Sequence, residues 1–238
     1  MTQVIEQLKN KALVWQGNQF AATTDYLTSG YQTLDSALGG GLPAKGVIDV
    51  RTMMGIGELR LLLPYLACAS SKAAVVFIAP PSLMSAESLA SAGVDIKQVV
   101  VLSAGGDDAL WCAEQCLKSG SCASVVLWHQ QFEIHQIRRL NLACEQGEAS
   151  LFIMRSPQPN TVSLPVTLTL SLAPSTIGIS VSIDKRKAGA PVAQFSVDMT
   201  EFWPEFATED NIASTDVERM AVHRTSNVVP FTEFKRRA

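Results

Sequence analysis

The chain has 238 residues, 47% of them hydrophobic and 17% charged, with a formal net charge of -3. That length and apolar content can bury a sizeable core, as one large domain or a domain with appendages. The slight acidity argues against a wholly basic nucleic-acid binder and leaves room for a local patch only.

Residues 2–15 predict an amphipathic helix, with Val4, Ile5, Leu8, Ala12 and Trp15 sharing one broad face. Their mixed charges are unlike a secretory signal. A polar interval leads to "SGYQTLDSALGGGLPAKG", where a short helical pattern stops at three glycines and a proline. Alternating elements follow. Strands are predicted at Val47–Arg51, Ala74–Ile78, Val99–Leu102, Ser124–Trp128 and Leu151–Met154, with helical stretches near 57–70, 84–92, 107–118 and 131–146. Strand and helix in alternation predict an α/β core, a mostly parallel sheet flanked by helices. After "SPQPN" the period changes to two. "TVSLPVTLTLSLA", "TIGISVSI" and "VAQFSVDM" read as antiparallel strands at a C-terminal edge, joined by turns such as Lys185–Pro191. From Glu201 to Glu218 the chain carries acids and no lysine or arginine, and it then turns basic, ending "EFKRRA". The expected organisation is an N-terminal helix and linker (1–27), a core (28–200) and a polarised tail (201–238). No run of about 18 apolar residues is present, which argues against a membrane span.

Five cysteines (Cys68, Cys112, Cys116, Cys122, Cys144) form no CxxC pair. Their odd number suggests reduced thiols and a cytoplasmic protein rather than a disulfide framework. Cys112 and Cys116, four apart on a helix, read as core, as does Trp111 by periodicity. Asp107 and Asp108 read as first-turn acids favoured by the helix dipole. His129 and His135 have no acids or thiols at ligand spacing, so no metal is expected.

"GVIDVRTMMGIGELR" has the strand, glycine loop and helix of a phosphate-binding loop. Such a loop needs backbone N–H groups around the anion, a lysine on the outer phosphates and a hydroxyl on magnesium. Here only Gly57 keeps its position. Glu58 takes the lysine place and Leu59 the hydroxyl place. A carboxylate roughly 4 Å from a phosphate repels it by about 4 kcal/mol per unit charge at an effective dielectric of 20. It also suits the N–H groups and dipole that would otherwise attract phosphate. Glu58 is therefore expected to occupy the site electrostatically. Pro64, inside "LRLLLPYL", is expected to kink or split the helix that follows.

"TSGYQTLDSALGGGLPAKGVIDV" (28–50), "AGVDIKQVVV" and "IDKRKAGAPVAQFSV" resemble the ATP-binding core of RecA recombinases over roughly 28–198. The catalytic positions of that family do not carry over. Its water-activating glutamate would fall at Pro81, and the aspartate ending its second nucleotide-binding strand at Trp128, which is expected to fill the vacated site. With Glu58 and Leu59, these departures make ATP hydrolysis an unsuitable reading, because phosphoryl transfer rests on those positioned charges. No cofactor is expected. The lysines matching Lys185 and Lys187 serve a neighbour's ATP in RecA filaments. Here Lys185, Arg186 and Lys187 read either as a contact for DNA phosphate or an acidic partner, or as a solvated turn. Arg138 and Arg139 with Arg155 are candidates for a positive face. Lys235, Arg236 and Arg237, beside Phe231 and Phe234, form a basic-aromatic end that suits docking or simply solubilises the tail.

"GIGELRLLLPYLA", "FIAPPSLMSAESLASAGVD", "LWCAEQCLKSG", "VVLWH", "IRRLNLACEQGEASLFIMR" and "PFTEFKRRA" resemble the ImuA family of RecA-like proteins of bacterial DNA-damage cassettes. That resemblance covers nearly the whole chain. It implies an accessory role in SOS-induced translesion synthesis beside an ImuB-like protein, RecA and an error-prone polymerase subunit. The division inhibitor SulA resembles only the middle, about 46–157, including "LLLP" and "FIMR". It would imply binding to FtsZ.

Overall fold

The computed structural model describes residues 25–158, 163–187 and 189–204. The predicted N-terminal helix and most of the tail, including Phe231, Phe234, Lys235, Arg236 and Arg237, lie outside the described residues. The chain opens with a two-stranded antiparallel pair, β1 (Tyr26–Leu27) and β2 (Leu42–Pro43), around helix α1 (Gln32–Leu38). The main elements follow in order: β3 (Gly46–Arg51), α2 (Glu58–Ser70), β4 (Ala74–Ile78), α3 (Ala86–Ser91), β5 (Val99–Leu102), α4 (Gly106–Lys118), β6 (Cys122–Trp128), α5 (Ile134–Gly147), β7 (Ser150–Arg155), β8 (Leu168–Ser175), β9 (Gly178–Arg186) and β10 (Val192–Asp198).

The strands form one eight-stranded sheet in the order β10-β9-β8-β3-β7-β6-β4-β5. From β8 to β5 neighbours run parallel, while β9 and β10 add an antiparallel edge. This is the α/β architecture expected from the alternating pattern. Because successive strand residues point to opposite faces, the sheet serves two cores. Ile48, Val50, Phe77, Val126 and Phe152 join Leu61, Leu62, Tyr65 and Leu66 of α2 on one face. Val47, Val76, Val125, Leu127 and Ile153 meet Ala109, Ala113 and Leu117 of α4 and Ile137, Leu140 and Cys144 of α5 on the other. β8 and β9 give Leu168, Leu170, Leu172, Ile179, Val181 and Ile183 to the first core.

Two sequence expectations need correction. Of the kink or split expected at Pro64, the split does not occur: α2 runs unbroken from Glu58 to Ser70. Proline cannot donate to the carbonyl four residues back, that of Arg60. The Tyr31 hydroxyl donates to that carbonyl instead, at 3.4 Å. Burial pushes the Tyr31 phenol up to about 12, so the hydroxyl stays protonated as a donor. Tyr31→Phe is expected to cost about 1 kcal/mol, measurable as a lower urea midpoint at unchanged slope. Trp111 is not core but 60% exposed. The buried stripe of α4 is Ala109, Ala113 and Leu117, and a residue two positions from each of the first two lies on the opposite side at 3.6 residues per turn. Cys112 and Cys116 flank that stripe and are half-buried.

The motif at the start of the core has a structural use. The Asp35 carboxylate accepts from Thr28 Oγ1 (2.6 Å), the Ser29 amide (2.8 Å) and Ser29 Oγ (2.5 Å), closing the turn that leads into α1. At the far end, described packing continues past residue 200: Phe202 meets Tyr31 edge-on at 5.4 Å, and Arg60 lies 5.1 Å from the Trp203 ring centre.

Candidate functional site at the carboxyl edge of the sheet

In a parallel sheet the loops leaving the strands gather at the carboxyl edge, where open α/β folds place their ligands. Four such loops meet here, each leading into a helix N-terminus: 52–57 before α2, 79–85 before α3, 103–105 before α4 and 129–133 before α5. Free N–H groups and a partial positive charge make such ends attractive to anions. All four are already supplied with a carboxylate of the chain. Glu58 is the first residue of α2, Glu87 stands in the first turn of α3, and Asp107 and Asp108 in that of α4. Glu133 caps α5 reciprocally with Gln136.

Glu58 goes furthest. Its side chain folds back into the loop, and both carboxylate oxygens accept from the Gly55 amide at 3.1 Å. The residue is 8% exposed, and Gly57 with φ 94° caps the helix behind it. A backbone donor in the position of a phosphate cradle is thus occupied by a built-in anion. The neighbouring Leu59 is half-buried against the first core and offers no hydroxyl.

The other expected positions carry bulky side chains that line a cleft rather than fill it. Trp128 ends β6 and packs on Phe77, ring centres 6.3 Å apart. With Met54, Pro81, Phe132, His129 and Glu133 it lines a cleft of about 800 Å³. Nearby, Ala79 takes a positive φ of 54° at the end of β4, a conformation that L side chains resist. Across loop 52–57 a second groove of about 470 Å³ is lined by Gly55–Arg60, Leu63, Ser82–Ser85 and Trp203. Among the described residues no group of three or more His, Cys, Asp or Glu converges on a metal position, and no helix is long and apolar enough to cross a membrane.

The basic candidates do not converge. Lys185 and Arg186 lie on β9 rather than in a turn. Lys185 Nζ donates to the Leu164 carbonyl at 2.8 Å, and Arg186 donates to the Ala37 carbonyl at 3.1 Å, near the α1 C-terminus. The Lys187 amide donates to the Thr167 carbonyl. Arg139 is drawn to Glu114, and Arg155 is buried, so these two do not build a shared positive face with Arg138. Glu114, 6% exposed, is held by Lys118 at 2.6 Å and by Arg139. The Lys118 ammonium, with Arg139 beside it, keeps this carboxyl below its ordinary range despite burial. A depressed folded value contributes stability that is complete above the unfolded pKa of about 4.3 and is lost as pH falls through the folded value. The stability gap between the native chain and Glu114→Gln should therefore shrink in urea titrations repeated at falling pH below about 4.

One cluster escapes a motif search. Asp49 on β3 is fully buried and grips Arg155 of the adjacent β7 by two bonds of 2.6 Å, to Nε and Nη2. Arg51 Nε reaches the same carboxylate at 3.1 Å, Arg51 Nη1 lies 3.7 Å from Asp184 of β9, and Ser171 Oγ of β8 donates to Asp184 at 2.6 Å. Alternating charge thereby links β7, β3 and β9, and the Ser171 hydroxyl ties in β8. The signal in the sequence is a charged residue inside an apolar strand, "GVIDVR", with an arginine closing the strand "LFIMR".

Fold and site together define an α/β protein with a mostly parallel sheet, whose glycine loop after β3 holds the carboxylate of Glu58 on its own Gly55 amide. In sequence the chain is similar to RecA of Clostridium acetobutylicum, 31% identical over 130 residues, which is 53% of this chain and 37% of RecA. It thus spans little more than a third of that relative's length. The crystal structure of SulA from Pseudomonas aeruginosa is 23% identical, with a TM-score of 0.41, and the match covers 47% of this chain and 98% of that one. No protein-family model matches the chain.

Proposed function

We propose that the chain is a non-catalytic, RecA-like accessory protein of SOS-induced, error-prone translesion synthesis. In this reading it is an adaptor that engages an ImuB-like protein, RecA and the mutagenic polymerase subunit. The observation that carries the loss of catalysis is the Glu58 carboxylate seated on the Gly55 amide. Phosphoryl transfer needs cation, hydroxyl and acid at the positions held here by Glu58, Leu59, Trp128 and Pro81. The sequence likeness to RecA and the resemblance to ImuA support the cellular role.

The test is co-purification of the tagged full chain from cells after DNA damage. Recovery of an ImuB-like protein is expected, and recovery of neither ImuB nor RecA would overturn the adaptor role. In parallel, phosphate release with single-stranded DNA should match a protein-free blank. Turnover that disappears when Gly57 is substituted would restore an ATPase. Cell filaments on overexpression, with blocked FtsZ assembly in vitro, would favour division arrest over translesion synthesis.

A further inference from the structure

The cleft beside Trp128 has a chemistry of its own. Its floor is aromatic and apolar (Trp128, Phe132, Met54, Pro81), its walls carry Gln130, Gln131 and Gln136, and its formally charged members, Asp107 and Glu133, are both acids. Glu133 is engaged by the Gln136 amide and lies 3.0 Å from His135 Nδ1, yet its side chain is 72% exposed. Past Asp107 and Gln136 the cleft continues into a depression of about 330 Å³ beside the exposed Trp111, where Arg139 is already held by Glu114. Aromatic faces beside carboxylates with no lysine or arginine in the lining suit a segment that carries rings and cations.

Met54 lines this cleft, and Gly55, the next residue, lines the groove that holds Trp203. The described chain ends one residue later, at Pro204. The sequence beyond it closes on Phe231, Phe234, Lys235, Arg236 and Arg237. The 27 residues from Pro204 to Phe231 (231 minus 204) can span about 90 Å at roughly 3.3–3.6 Å each, and the groove at Trp203 adjoins the cleft through the neighbours Gly55 and Met54.

We propose that the cleft is the docking site of the chain's own segment Phe231–Arg237, with its rings on the Trp128 and Phe132 floor and its cations toward Asp107 and Glu133. A tether of this kind sets an effective concentration on the order of millimolar, so modest contacts suffice within one chain. An external partner that uses the carboxyl edge must then displace the segment. This inference is independent of the role in translesion synthesis.

Zero-length carbodiimide cross-linking of the full chain, as an equal mixture of 14N and 15N protein, tests it. The expected product joins Lys235 to Asp107 or Glu133 within one isotopic species. Its yield should fall about tenfold in Phe234→Ala, equivalent to about 1.4 kcal/mol, and stay unchanged in Leu142→Ala, a substitution at an exposed α5 position away from the cleft. Cross-links from Lys235 to the acids of 201–218, isotopically mixed pairs, or no product at either cleft acid would each overturn the proposal.

Discussion

Arg155→Met is expected to lower the unfolding free energy by about 3–5 kcal/mol, because it leaves a buried carboxylate without its principal partner. Asp49 is fully buried, and Arg155 supplies two of its three charged contacts. Arg51 remains, but its side chain is 20% exposed and is shared with Asp184. The reverse truncation, Asp49→Leu, strands the Arg155 guanidinium and should cost a similar amount. The double variant is the informative one. Two charges removed together take their desolvation cost with them, and well-packed apolar replacements of buried pairs are often neutral or stabilising. Asp49→Leu with Arg155→Met should therefore recover most of the loss in urea denaturation. A double variant as unstable as either single one would show that the pair does more than satisfy itself. If the single variants do not fold, the double variant still decides the point.

Gly30→Ala is the second substitution with a large expected cost, about 2–4 kcal/mol, the sum of a left-handed backbone penalty and overpacking. Gly30 has φ 86°, and an added Cβ would stand 2.4 Å from Pro64 Cβ and 2.9 Å from its Cγ. The proline is fixed in the middle of α2 and cannot retreat without moving the helix. Gly39 separates the two contributions. It has φ 81° with nothing within 4 Å of an added Cβ, so Gly39→Ala should show the backbone penalty alone, about 1–2 kcal/mol. Equal losses at both glycines would remove the contact with Pro64 from the explanation.

Much of the fold was legible because its strands are short apolar runs between glycine and polar breaks. Ala74–Ile78 and Val99–Leu102 end where the sequence places them. The α5 start was less legible. The pattern places it near 131, but the capping box of Glu133 and Gln136 starts it at Ile134. A glutamate held at the start of α2 could be anticipated from Glu58 alone, since a carboxylate in a first helical turn has an electrostatic reason to stay there. Which amide it would take could not, because that depends on how loop 52–57 folds. The charged residues were the least legible. Arg155, Lys185 and Arg186 look like surface cations in one dimension. Only strand register, which sets Arg155 opposite Arg51, brings it within reach of Asp49 two residues back, and only the packing of β9 brings Arg186 to the end of α1. Periodicity likewise names Trp111 as apolar without saying which side of α4 the stripe chooses.

The hydroxyl of Tyr31 on the Arg60 carbonyl makes the opening turns of α2 conditional on a segment 29 residues earlier. Helices ordinarily close their ladder from within and can form ahead of their surroundings. This one borrows a rung. The first half of α2 and the turn around Tyr31 should consequently open and close as one cooperative unit, exchanging their amides together instead of fraying from the helix end. The sheet's loop-bearing edge is thereby tied, in its fluctuations, to the very start of the core.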